Sequence, residues 1–227
     1  MTRPAIIGLL ALAVAACATA KGIADGDSAR LERFKALRAE RAYAAIAAEE
    51  AACDDADGPA CRQLHLIRGD ACFVLAAGGG APLERYECAI GELRAGIDGG
   101  PDGLGDGIES LQPFEERLLE ALRARQDLAR SRGEAAPFAR ELAARARGFI
   151  ASYPGHPAGY FYGASARLAE VLGDVAAGRG DGSACDTLAR LLALVEGLSE
   201  RGAYAANLAR LREDVLGARR ALPGCAP

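Results

Sequence analysis

Apolar residues at helical spacing, broken by short runs of glycine and proline, constrain this chain more than any other feature. Leu31, Phe34, Ala42, Tyr43 and Ile46 recur among charges and define one amphipathic helix over 28–52, with Asp27 or Ser28 as its N-cap. Further helical stretches follow at 60–77 and 83–97. A fourth carries Ile108, Leu111, Leu118, Leu119, Leu122 and Leu128, and others cover 136–152 and 158–177. The last two are marked by Leu188 to Leu198 and by Tyr204 to Leu222. Between them lie DDADGP, GGGAP, DGGPDGLGDG, YPGHP and GRGDGS, whose residues make turns and loops. No segment alternates with period two. The chain is expected to be all-α, built from antiparallel helix hairpins.

Composition fits that class. Apolar residues make up 51% of the chain, but many are alanine and there is no tryptophan. Thin side chains suit closely packed helices better than an aromatic β core. A formal charge of −4 gives no general attraction to nucleic acid. All but two of the 27 basic residues are arginine, as the codons of a GC-rich genome favour.

The amino-terminal segment points to a compartment. After Arg3, residues Ala5 to Ala16 are apolar. Twelve residues of helix rise about 18 Å, short of a hydrocarbon core of roughly 30 Å, so an export signal fits better than a membrane span. Its end, Val14-Ala15-Ala16-Cys17, resembles the lipobox of bacterial lipoproteins. The resemblance implies a signal peptide over 1–16, cleavage before Cys17, and acylation of the Cys17 thiol as the membrane anchor. An ordinary secretory signal cut after Ala18 or Ala20 is the alternative. Because Ala18 is not aspartate, resemblance to enteric sorting implies the outer membrane, with the protein facing the periplasm. Residues 17–27 then form a flexible tether and 28–227 one helical domain.

Setting Cys17 aside leaves Cys53, Cys61, Cys72, Cys88, Cys185 and Cys225, which allow fifteen pairings. Cys53 and Cys61 flank a turn, and Cys72 and Cys88 are equidistant from Gly80. Cys185 opens one helix and Cys225 follows the end of the next. Placed on helix hairpins, these positions predict bridges 53–61, 72–88 and 185–225, as suits an exported chain. Thiolate-bound metal is the rival reading, but no CxxC pair occurs and only two histidines are present.

The segment Pro154-Gly155-His156-Pro157-Ala158-Gly159-Tyr160, with Ala164 four residues on, resembles the junction of tetratricopeptide repeats. Phe73, Pro82, Tyr86 and Ala89 echo it in the earlier hairpin. The resemblance implies a short solenoid of helix pairs; an irregular helical bundle is the alternative. In architecture alone the chain also resembles the T component associated with TRAP-type solute transporters.

Three groups of residues are candidates for chemistry. Asp98, Asp102, Asp106 and Glu109 place oxygens at positions 1, 5, 9 and 12 of an EF-hand-like frame, which suits Ca²⁺. Glycines stand at positions 3 and 8, however. If Ser110 caps the next helix, Pro113 falls harmlessly in its first turn. The segment therefore reads as a solvated loop, with calcium as the weaker alternative. His65 and His156 belong to no catalytic motif: His65 reads as packed or half-exposed and His156 as a helix cap. Tyr153, Tyr160, Phe161 and Tyr162 either line a partner surface or form inter-helix core. No enzyme activity, cofactor or metal is expected. The leading expectation is an anchored adaptor that binds an envelope protein or peptide; the alternative is a solute- or lipid-binding accessory to transport.

Overall fold

The computed structural model describes residues 26–79, 82–100, 104, 108–130, 135–179, 183–198, 202–222 and 224–225. Among them every regular element is helical: α1 (26–39), α2 (Tyr43–Ala48), α3 (Pro59–Ala77), α4 (Pro82–Ile97), α5 (Gln112–Arg130), α6 (Ala135–Ser152), α7 (Pro157–Ala176), α8 (Ser183–Leu198) and α9 (Ala205–Ala221), with one 3-10 turn at Gly202–Tyr204. The chain is all-α, and α3 packs on α4, α6 on α7 and α8 on α9 as sequential pairs. No described helix is long and apolar enough to cross a membrane. Cys17 lies outside the described residues.

Proline starts three of these helices and is second in a fourth. Pro59, Pro82 and Pro157 open α3, α4 and α7, and Pro113 is the second residue of α5, where a missing N–H costs nothing. The Ser110 hydroxyl accepts the Gln112 N–H at 3.1 Å, as its capping role requires. At the far end of α7, Gly178 takes φ +70°; its N–H reaches Val175 O, and Arg179 N–H reaches Asp174 O. This is a Schellman stop.

The single helix expected over 28–52 is divided. Arg41 has φ +58°, with Ala42 N–H on Leu37 O at 2.9 Å and Arg41 N–H on Arg38 O at 3.0 Å. A second Schellman stop therefore ends α1, with arginine where glycine is usual, and α2 resumes after it for six residues only. Neither Asp27 nor Ser28 is an N-cap, because α1 already runs from residue 26.

The described helices group into two compact units, divided between Phe114 and Glu115, where the sequence suggested one domain over 28–227. In the amino-terminal unit α3 is central. Leu31, Phe34, Ile46, Leu64, Ile67 and Ala71 form one apolar cluster with Tyr43 and Cys53 packed against it. The Arg62 guanidinium crosses to the end of α4, donating to Gly96 O at 3.3 Å and to Gly100 O, where positive charge opposes the helix dipole. Gln63 donates to Leu104 O.

Asp27 joins α1 to the loop after α2. It is 2% exposed and accepts the Asp54 N–H at 3.1 Å, the Asp55 N–H at 3.0 Å and the Arg30 guanidinium at 3.3 Å. Burial opposes its charge, but the Asp55 and Asp54 N–H groups and Arg30 together outweigh burial and hold the carboxyl below its usual range. Asp27→Ala strands two backbone donors, so urea unfolding at pH 7 should show a loss of about 2–3 kcal/mol. A lowered folded pKa means this contribution is present above the unfolded value, near 4, and is lost as pH falls through the folded value. The gap between wild type and variant should therefore narrow in unfolding curves taken at about pH 3.

In the carboxy-terminal unit α7 touches α6, α8 and α9. Gly159 permits the close α6–α7 approach: a Cβ there would stand 2.7 Å from Ile150 Cγ1. Leu188, Val195, Leu208, Leu211 and Val215 form the buried α8–α9 seam.

Candidate functional site

All six remaining cysteines are bridged, as Cys53–Cys61, Cys72–Cys88 and Cys185–Cys225, with Cα separations of 5.6, 6.0 and 5.1 Å. Of the calcium frame, Asp98 directly follows α4 and Glu109 precedes Ser110, while Asp102 and Asp106 lie outside the described residues. His65 is half-buried on α3, with Nδ1 2.6 Å from Glu92 Oε2.

The aromatic set separates by burial. Phe161 and Tyr162 are each 3% exposed and belong to the inter-helix core, one of the two places the sequence allowed them. Their positions on α7 turn both rings toward Tyr204, at centroid distances of 5.4 and 6.0 Å. Tyr153 and Tyr160 stay partly exposed, and the Tyr160 hydroxyl donates to Pro154 O at 3.0 Å, closing the turn before α7. His156 caps that helix, its Nδ1 accepting the Ala158 N–H at 3.3 Å.

Around these rings sits a polar cluster whose members, Glu116, His156 and Tyr204, lie far apart in the sequence. Tyr204 donates its hydroxyl to Glu116, whose other oxygen lies 3.6 Å from His156 Nε2. Burial first, then the Glu120 charge, pushes the Tyr162 hydroxyl well above the usual tyrosine range; burial and then Tyr162 do the same for Tyr204. Both remain neutral donors and neither is available as a phenolate base. Burial also raises the Glu115 and Glu120 carboxyls, against the opposing pull of Tyr153 and Arg145 on the first and Arg117 on the second. This cluster locks elements together.

An open cleft of about 560 Å³ is formed by three helices of the same unit. Helix α5 supplies Arg123, Gln126 and Asp127, α7 supplies Ser165, Leu168 and Leu172, and α9 supplies Leu211, Glu213, Asp214 and Ala218. Most of each set recurs at three- and four-residue spacing on one helix face, with Glu213 beside Asp214 at the edge of the α9 face. Leucines form the floor and charge forms the rim. Arg123 lies 4.8 Å over the Phe161 ring and 3.7 Å from Asp127, and Arg212 pairs with Glu213 at 2.9 Å. Ser165 already donates to Phe161 O at 2.9 Å.

Gln126 is the unusual member. It is 1% exposed, and its Oε1 has no hydrogen-bond partner among the described residues. A polar side chain in the apolar stripe Leu119, Leu122, Gln126 and Ala129 was visible in the sequence, and that was the one signal for this cleft. Acceptor oxygens outnumber donors here, so the arrangement suits a ligand that brings N–H groups. No family model, curated protein or solved structure matches the chain.

Proposed function

We propose that the chain is an exported lipoprotein, anchored through Cys17 at the outer membrane and facing the periplasm, whose helical hairpins act as an adaptor for an envelope protein or peptide. The lipobox-like Val14-Ala15-Ala16-Cys17 and the fully bridged remaining cysteines support the address. The cleft of α5, α7 and α9 carries the functional part of the reading. Its floor is apolar, its lining holds three carboxylates to one guanidinium, and Gln126 offers an unmet acceptor. The fitting occupant is a peptide segment presenting a lysine or arginine beside an apolar residue.

Fluorescence anisotropy on the folded chain tests this with labelled peptides of matched hydropathy and opposite charge. Basic peptides should bind and weaken with added salt. Asp214→Asn combined with Gln126→Leu should loosen binding about tenfold while the helical signal is kept. Equal binding of acidic and basic peptides, or none by either, overturns the reading. The cleft volume also falls in the range of small-ligand sites, which favours as second reading a carrier of cationic solutes; native mass spectrometry of the purified chain would reveal such a solute.

A further inference from the structure

We propose that Cys53, Cys61 and His65 form a redox-gated site for Zn²⁺, closed while the disulfide is intact and opened by its reduction. The two sulfurs and an imidazole nitrogen lie within 4.8 Å of one another. Three features of the fold bring them together. Cys61 and His65 are one turn apart on α3 and share a face. Cys53 comes from the loop before α3 and packs against the cluster that includes Leu64. Glu92 on α4 holds His65 Nδ1 at 2.6 Å and is itself held by Arg68.

That last contact carries most weight. A histidine ligand commonly gives its second nitrogen to a carboxylate, which fixes the ring and its tautomer. Here Glu92 occupies Nδ1, so Nε2 is the nitrogen left for a metal. Ligand atoms of tetrahedral zinc are roughly 3.5–4 Å apart, within reach of side-chain rotation once the sulfurs are unlinked. Two thiolates and an imidazole suit zinc better than calcium or magnesium.

The chemistry balances with a dithiol reductant, such as a CxxC oxidoreductase, as co-reactant. The Cys53–Cys61 bond breaks, two electrons and two protons pass to its sulfurs, and the reductant closes into its own disulfide. Zn²⁺ then gains two Zn–S bonds and one Zn–N bond, the two thiol protons leave to solvent, and water fills the fourth position. A disulfide-bearing oxidoreductase reverses the step: it accepts two electrons from the two thiolates and is reduced to its dithiol, the Cys53–Cys61 bond re-forms, and the ion is expelled.

The test uses the chain reduced only at Cys53–Cys61, isolated after limited reduction and checked by mapping its thiols. This dithiol form should bind one Zn²⁺, measured by competition with a chromophoric chelator, and give the visible absorption of tetrahedral Co²⁺; the oxidised chain should do neither. His65→Ala should loosen zinc more than 100-fold and Glu92→Gln about tenfold, with the bridge still forming on oxidation. If His65→Ala loses its helical signal, Glu92→Gln carries the decision. Absence of zinc binding by the dithiol form, or equal affinity in the decisive variant, overturns the proposal. So does a bridge that opens only after another has opened, or loss of helix when it opens.

Discussion

Gly96→Val is expected to cost the amino-terminal unit more than about 3 kcal/mol, enough to lower its unfolding midpoint sharply in urea. A Cβ at position 96 would stand 2.5 Å from Leu66 Cγ and 3.0 Å from the Arg62 carbonyl oxygen. The opposite pair repeats the arrangement: a Cβ at Gly69 would stand 2.7 Å from Leu93 Cγ and 3.0 Å from its backbone nitrogen. Each helix thus seats a leucine over the other's glycine, and both leucines are fully buried. Backbone on one side and a packed leucine on the other leave an added side chain nowhere to go. Overpacking a dense core usually costs about 1–3 kcal/mol, and a β-branched residue facing a backbone carbonyl belongs at or beyond the upper end.

Two controls separate packing from helix propensity. Gly91, on the same helix, faces open space, so Gly91→Ala should raise stability by about 0.5–1 kcal/mol. Gly96→Ala gains the same propensity yet should be destabilising, and adding Leu66→Ala should recover part of the loss as a positive coupling in the double-mutant cycle. If Gly96→Ala stabilises as Gly91→Ala does, the helices have room to part and the interlock is not a constraint.

The same hairpin shows how far the sequence could be read. Helix bounds for α3 and α4 fell within a residue of expectation because proline opens each and the glycine run lies between them. Their approximate register was visible through Cys72 and Cys88, which centre on Gly80; the Leu66–Gly96 and Gly69–Leu93 pairs centre one residue further on, at position 81. The break at Arg41 was not visible. A Schellman stop there uses neither glycine nor proline, and the apolar spacing continues across it into Tyr43 and Ile46. Nor does spacing tell which aromatics of the Tyr160-Phe161-Tyr162 run face inward; the burial of Phe161 and Tyr162 depends on Tyr204, about forty residues away. Of the candidate site, Gln126 was legible as a polar intruder in an apolar stripe, whereas the carboxylates of α9 reach the cleft only through tertiary packing. The approach of His65 to Cys53 and Cys61 was hidden for a similar reason, since one ligand comes from a loop and the positioning glutamate from another helix.

Loss of the Cys185–Cys225 bridge should produce the second large effect, about 4 kcal/mol in the carboxy-terminal unit. This bridge closes a 40-residue separation, against 8 for Cys53–Cys61, and the chain-entropy cost of the unfolded state grows with the logarithm of that length, so the shorter bridge is worth only about 2.5 kcal/mol. Most of the loss arises in the unfolded ensemble, because the contacts of Leu188 and Val195 with the α9 seam do not depend on the link. Cys185→Ala/Cys225→Ala should therefore fold with its helical signal intact but unfold at lower denaturant, and amide exchange should rise in α8 and α9 while α3 and α4 keep their protection. Cross-linking and side-chain packing are then separable in one experiment. With reductant sufficient to open every bridge, wild type and the double variant should converge in the exchange of α8 and α9, since neither has the link. A gap that persists under reduction would assign the effect to packing of Cys225, which is buried at the end of α9; a loss below about 1 kcal/mol in the oxidised chain would mean that the α8–α9 seam already restrains the unfolded chain as the bridge does.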